Sequence, residues 1–218
     1  MNLFDNYPLN DKINLGIIYY NYRNHGEYRE IKNKKSNGCF TATPIDRNRH
    51  RRKKYMDKQK TEKEYQQGIE LIQSYVTDYL VKNYQGIEKI EWQGIGVEYR
   101  NSPILGPSLF GNYVDTDVTI YASQNSYLTI NFTLNYNTEY NESSNKYSKN
   151  PYLSSNNIDE LLEIELDNTI YKRDDMHKII GLEVSQDQKK EFEKVKKSTT
   201  GSKKAKIVYN LKVHELIY

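Results

Sequence analysis

Apolar residues recur at helical spacing in one long stretch of this chain. Residues 61–82 are predicted to form an amphipathic helix, because apolar side chains repeat there on one face: Tyr65, Ile69, Ile72, Val76 and Leu80. Thr61 and Glu64 have the spacing of a capping box, so the helix is predicted to begin at Thr61. Asn83 and Gly86 follow as residue types that commonly end helices.

Three later stretches alternate between apolar and polar residues, which is the period of a β-strand. They are residues 87–100, 113–122 and 126–136. Gly94 or Gly96 is expected to interrupt the first strand with a bulge, and residues 123–125 supply a hairpin turn between the other two. Because the last strand has one apolar and one polar face, the pattern predicts an antiparallel sheet covered on one side by a helix.

The segments before and after these elements have different compositions. Residues 13–23 are rich in β-branched and aromatic residues, residues 27–34 alternate, and residues 38–44 are a candidate third strand, so we predict a small N-terminal β unit. Residues 137–157 contain almost only polar residues and tyrosine, which predicts a long mobile loop or a linker.

The C-terminal part is predicted to alternate helices and strands. Asn157 and Glu160 have capping-box spacing and open a predicted helix over 158–170. Residues 178–185 form a candidate strand. Ser185 opens a charged helix over 186–197, and residues 204–217 end the chain as a strand.

These elements predict the α+β class, with an antiparallel sheet packed against a long amphipathic helix, an N-terminal β unit and a C-terminal αβαβ-like portion. The predicted division of the chain is a small β unit, a basic arm, a helix with a meander, a polar loop and an α/β portion, over residues 1–45, 46–60, 61–136, 137–157 and 158–218.

Composition narrows the chemistry that the chain can carry. The single cysteine, Cys39, excludes an intrachain disulfide and a cysteine-only zinc site. The four histidines are scattered without the spacing of metal ligands, so we expect no cofactor. A signal-peptide pattern and a transmembrane-length apolar run are also missing, which predicts a cytoplasmic protein without a membrane partner.

Positive charge is concentrated in one part of the sequence. Residues 32–60 contain eleven Lys or Arg against two Asp, whereas the rest of the chain has 21 basic and 27 acidic residues. The densest part, which we call the basic block, consists of Arg47, Arg49, Arg51, Arg52, Lys53 and Lys54. Such crowding favours a polyanionic partner, above all nucleic acid, with Tyr55 available to stack on a base. A solvated connector, an acidic protein surface and a membrane surface are the alternatives.

Two carboxylates have the spacing of a metal site. Asp115 and Asp117 lie at i and i+2 of a predicted strand, after the turn at Gly106-Pro107-Ser108, as in nucleotidyltransferases that hold Mg²⁺. The turn departs from the usual Gly-Ser or Gly-Gly pair, and Thr129 and Asn131 stand where a third carboxylate is expected. Solvent-facing carboxylates of an alternating strand are therefore the competing interpretation.

The order of basic arm, helix and sheet resembles some anti-CRISPR proteins that act on type II-A Cas9. The corresponding segments here are residues 47–54, 61–80 and the strands between 87 and 136. The resemblance is one of layout and composition over about half of the chain. It implies inhibition of a Cas9–guide RNA complex without catalysis, with the basic block contacting guide RNA or the nucleic-acid channel of Cas9.

Three functional hypotheses follow from the sequence. The first is a non-enzymatic binding or inhibitor protein from a phage or mobile element, which engages a nucleic acid or nucleoprotein through the arm. The second is a nucleic-acid-binding accessory protein for replication or regulation. The third is a metal-dependent enzyme that uses Asp115 and Asp117.

Overall fold

The computed structural model describes residues 44–102, 106–107 and 111–216, with side chains for 56–100 and 111–216. Residues from Ile45 onward form one compact unit. This unit contains both helices and sheets, which confirms the predicted α+β class. The predicted N-terminal β unit lies outside the described residues.

Four helices and fourteen strands are assigned within the described residues. The helices are α1 Pro44–Asn83, α2 Leu134–Asn137, α3 Ser155–Ile170 and α4 Gln186–Phe192. The strands are β1 Tyr84–Gln85, β2 Lys89–Trp92, β3 Ile95–Glu98, β4 Asn101–Ser102, β5 Gly106–Pro107, β6 Tyr113–Ser123, β7 Ser126–Thr133, β8 Thr138–Asn141, β9 Lys146–Lys149, β10 Tyr171–Arg173, β11 Ile179–Leu182, β12 Lys196–Lys197, β13 Lys206–Val208 and β14 Val213–Glu215.

Helix α1 begins at Pro44, so the predicted start at Thr61 is wrong. The Thr61 hydroxyl donates to the carbonyl oxygen of Asp57 at 3.0 Å, one turn earlier, instead of capping a helix end. Proline favours the first turn of a helix, and no glycine or proline interrupts residues 45–67. The basic arm and the amphipathic helix are therefore one element of 40 residues.

Strand β6 lies at the centre of the main sheet. It pairs antiparallel with β7 on one side and with β2 and β3, one after the other, on its opposite side. The break between β2 and β3 includes Gly94 at φ +105°, which confirms the irregularity predicted near this glycine. The hairpin of β6 and β7 is also confirmed.

The strands beside the outer edges of β2 and β3 show that the prediction of a wholly antiparallel sheet is wrong. Strands β13 and β14 pair parallel with β2 and β3, respectively, so the sheet is mixed. A parallel pair requires a long crossover connection, and the chain between β7 and β13 supplies one that includes α3 and α4.

One face of the sheet packs on α1 and forms the core. Trp92 of β2 is almost fully buried, and its indole N–H donates to the hydroxyl of Thr77 in α1 at 3.0 Å. The predicted apolar stripe of α1 is fully buried from Ile69 through Ile72 and Val76 to Leu80. Burial of this stripe confirms the amphipathic helix.

Residues 138–149 form the hairpin of β8 and β9 where a mobile loop was predicted. Tyr140 and Tyr147 pair across the two strands with ring centroids 4.9 Å apart. Tyr147 also lies directly over Gly68 of α1, and the Lys149 ammonium lies 3.5 Å from the centre of the Tyr75 ring. These contacts are remote in sequence, so local polarity did not reveal them.

The N-terminal cap of α3 is Ser154 rather than the predicted Asn157. The Ser154 hydroxyl accepts a hydrogen bond from the backbone N–H of Asn157, and the helix begins at Ser155. For α4 the prediction was correct at its start, because Ser185 and Gln188 form a full capping box. This helix ends at Phe192, earlier than predicted.

Asp159 joins four elements through one carboxylate. It accepts hydrogen bonds from Tyr79 of α1 at 2.8 Å and from Tyr84 of β1 at 2.5 Å, and it pairs with Lys197 of β12 at 2.5 Å. Burial disfavours its charged form, but these three partners outweigh burial and hold the pKa of Asp159 below its ordinary value. Burial, followed by the bond to Asp159, raises the pKa of Tyr79 to about 12, so its hydroxyl remains a donor at neutral pH.

The loop before β13 closes the C-terminal end of α1. The backbone N–H groups of Ser202 and Ser198 donate to the carbonyl oxygens of Val81 and Asn83, each at 2.8 Å. Gly201, at φ +63°, passes so close to this end that a Cβ atom would lie 2.7 Å from the carbonyl oxygen of Lys82. The loop therefore requires glycine both for its backbone conformation and for its close approach.

We expect Gly201→Ala to lower the free energy of unfolding by about 2–4 kcal/mol, because left-handed strain adds to the displaced helix cap. Gly111→Ala is the matched control, since Gly111 has φ +69° but no atom of the described residues near its Cβ position. Urea unfolding of both variants measures the difference. If both substitutions lower the free energy of unfolding equally, the close approach of Gly201 to α1 does not contribute to stability.

Candidate nucleic-acid interface

The basic block lies within the first half of α1. Residues 47–54 are helical, and the rise of 1.5 Å per residue makes this part of the helix about 12 Å long. A helix turns by about 100° per residue, so the six basic positions are spread around its whole circumference. The side chains of residues 44–55 are outside the described part of the structure. The predicted contacts of Arg47, Arg49, Arg51, Arg52, Lys53, Lys54 and Tyr55 therefore stay predictions.

The next turn of α1 is exposed and marks the transition to the packed part of the helix. Residues 56–60 are all exposed. The Lys58 ammonium lies 5.0 Å from the centre of the Tyr99 ring, and Glu62 accepts a hydrogen bond from the Tyr99 hydroxyl at 3.4 Å. From this point the helix lies against the body of the protein.

Two lysines at the end of the arm have intrahelical partners. Lys58 pairs with Glu62 at 3.9 Å and Lys60 with Glu64 at 3.7 Å, each one turn ahead along the helix. Pairs of this spacing support a helix by about 0.2–0.5 kcal/mol each. Glu64, which was predicted to belong to the capping box at a helix start, therefore helps to continue the helix.

Asp115 and Asp117 lie on the sheet face opposite α1, as the alternation of β6 predicts. The side-chain amide of Asn131, on β7, donates to both carboxylates, at 3.2 Å to Asp115 and 2.8 Å to Asp117. The residue that replaces the expected third carboxylate thus satisfies two carboxylate oxygens with N–H groups. This arrangement gives the pair a role in cross-strand hydrogen bonding.

The electrostatics of this pair follow from its position in the sheet. Burial raises the pKa of Asp115, the neighbouring charge of Asp117 raises it further, and the hydrogen bond from Asn131 opposes the shift. His214 of β14 lies in the same row of the sheet, with Gly96 between it and Asp115. Within the described ranges, no group of three acidic, histidine or cysteine side chains has an arrangement that could hold a metal ion.

A second basic segment was missed at the sequence level. Residues 194–206, which we call the lysine loop, contain six lysines and no Asp or Glu. Outside residues 32–60 the chain has an excess of acidic residues, several of them in α3, which hides these lysines in the total charge. A count over a window of about ten residues would have found the lysine loop.

Comparisons with known proteins add no assignment. The chain matches no protein-family model, no curated protein and no solved structure. Separately, no helix within the described residues combines the length and the apolar content required to cross a membrane.

Proposed function

We propose that this protein is a non-enzymatic binding protein that engages a nucleic acid or a nucleoprotein through the basic arm. The observation that carries the proposal is the basic block, with six fixed positive charges in eight positions. Like charges at such spacing repel one another, and a polyanion relieves the repulsion while it releases counterions. Arginine also forms bidentate contacts with phosphate, and three of the first five positions of the block are arginine.

The helical backbone of the arm supports this proposal in a second way. A helix with basic positions around its circumference suits a partner that surrounds it, such as a groove or channel lined by phosphates. The neighbouring turn at residues 56–60 is exposed, so this turn of α1 is not covered by the protein body. The packed half of α1 anchors the arm to the core.

The layout shared with type II-A anti-CRISPR proteins suggests a specific form of the proposal. In that form the protein originates from a phage or mobile element and acts in the cytoplasm of a bacterial host. Its partner is the complex of Cas9 with guide RNA, and the arm contacts the RNA or the nucleic-acid channel. The main sheet and its helices then provide the shape-specific part of the contact.

Binding measurements on three probes test the proposal. Anisotropy of fluorescent guide RNA, of the same RNA bound to Cas9, and of a DNA duplex would be followed as the full chain is added at about 50–300 mM KCl. We expect binding to at least one probe, and we expect the affinity to fall as the salt concentration rises. For each tenfold rise in salt, the logarithm of the association constant should fall by roughly 0.7–0.9 for every phosphate contact. Binding to none of the three would contradict the proposal.

The pattern among the probes separates the hypotheses. Binding only to RNA in complex with Cas9 supports the inhibitor. Tight and steeply salt-dependent binding to free RNA or DNA instead supports an accessory protein of replication or regulation. An affinity pull-down from bacterial lysate, with and without nuclease, provides an independent check, because nuclease removes a nucleic-acid partner but leaves an acidic protein partner.

A further inference from the structure

The lysine loop forms a second cationic surface at the C-terminal end of α1. Strand β12 pairs Lys196 with Gln85, and the following residues wrap around the end of α1 until the backbone N–H of Lys206 donates to the carbonyl oxygen of Glu88. Lys196, Lys203 and Lys204 are all exposed. Lys203 and Lys204 border a cleft of about 470 Å³ between the loop and the chain segment after α1.

The backbone of the loop is held firmly by hydrogen bonds. The Ser202 side chain is buried, accepts from the backbone N–H of Ile87 at 3.0 Å and donates to the carbonyl oxygen of Tyr84 at 2.7 Å. The contacts of Ser202 and Ser198 with the last turn of α1 also satisfy carbonyl oxygens that would otherwise repel an anion. The three lysines therefore extend from a fixed platform rather than from a free chain end.

Charge balance within the protein does not account for these lysines. Lys194 and Lys197, in the same run, already pair with Glu191 at 2.6 Å and with Asp159 at 2.5 Å. Lys196, Lys203 and Lys204 form no ion pair within the described residues. Glu88 is the one carboxylate among the described residues that line the cleft. The charges of these three lysines thus remain available to an external anion.

We infer that Lys196, Lys203 and Lys204 form a second contact for the phosphate backbone of nucleic acid. The inference rests on the proposed function, because it assigns the same class of partner to a second surface. About 22 residues of α1 separate the end of the arm from this surface, which corresponds to roughly 33 Å along the helix. The two surfaces therefore meet phosphates far apart on the partner, and both contribute to affinity and to its salt dependence.

An NMR titration of the full chain with a duplex of about eight base pairs tests the inference. At about 3.4 Å per base pair this duplex is roughly 27 Å long, so one molecule cannot span both surfaces. We expect amide shifts in residues 196–204 as well as in the arm at about 50 mM KCl. In the variant K196Q/K203Q/K204Q, the affinity measured from the amide shifts of the loop should fall about tenfold for each phosphate that a lysine no longer neutralises. The affinity measured from the amide shifts of the arm should stay unchanged.

The control is K146Q/K172Q/K178Q, which removes three exposed lysines elsewhere and changes the net charge equally. Loop shifts that are missing, or that persist in the loop variant, would overturn the inference and leave the arm proposal intact. Loop shifts without arm shifts would overturn the proposed role of the arm and support the lysine loop. If neither surface responds, both assignments are overturned.

Discussion

Replacing Arg49, Arg51, Arg52, Lys53 and Lys54 together with alanine is expected to reduce partner binding by at least about 1,000-fold near 50 mM salt. If each cation neutralises one phosphate, the slope of log affinity against log salt should fall in magnitude by about 4. Alanine has the highest helix propensity, so α1 should remain helical and the free energy of unfolding should change by less than about 1 kcal/mol. Anisotropy titrations over a salt series, together with urea unfolding, measure both quantities.

A matched variant separates the arm from net charge. It replaces five lysines that lie elsewhere on the exposed surface, Lys146, Lys172, Lys178, Lys190 and Lys212. Its net charge equals that of the arm variant, so long-range attraction changes equally in both, while the basic block stays intact. Equal reduction of binding in the two variants would contradict a specific arm contact, and so would undiminished binding by the arm variant.

Asp159→Ala is expected to lower the free energy of unfolding by about 3 kcal/mol at pH 7, because two tyrosine hydroxyls and one ammonium lose their shared acceptor. For a chain of this size, the midpoint of thermal unfolding should fall by roughly 6–12 °C. Glu160→Ala is the control, because Glu160 is exposed and forms no ion pair within the described part of the chain. Its effect should stay within about 0.5 kcal/mol.

The difference between wild type and Asp159→Ala should depend on pH in a defined direction. The pKa of Asp159 is lower in the folded state than its ordinary value, so its ionised form stabilises the fold. This contribution is fully present above the unfolded pKa of about 4 and is lost as the pH falls through the folded pKa. Urea unfolding at pH 7 and near pH 3 measures the change. A difference that grows on acidification would show that the carboxylate is not held by its three partners.

Sequence periodicity correctly predicted the elements in which the repeat of apolar residues marks the buried face. The stripe at Ile69, Ile72 and Val76 and the alternation of β6 and β7 follow directly from the side-chain repeat of each element. The same reasoning gave a wrong start for α1, because Thr61 and Glu64 satisfy the cap pattern equally well inside a helix. There the Thr61 hydroxyl bonds to the Asp57 carbonyl oxygen and Glu64 pairs with Lys60.

Elements that depend on distant contacts were not predictable from local composition. The hairpin of β8 and β9 has few apolar residues, and it is held by Tyr147 over Gly68 and by Lys149 over Tyr75. In the same way, the parallel pairing of β13 and β14 arises from a crossover that no local pattern encodes. At the candidate interface, the basic block was evident from charge density alone. The positive charge of the lysine loop is also visible in the sequence, but its position at the C-terminal end of α1 follows only from the fold.

The continuity of α1 has a thermodynamic consequence for recognition. A disordered segment that folds on its partner loses about 1–2 kcal/mol of backbone entropy for each residue that becomes ordered. The helical backbone of residues 44–60 has already incurred that loss during folding of the protein itself. Association through this segment can then proceed close to a rigid-body encounter, without the large negative heat-capacity change that accompanies coupled folding and binding.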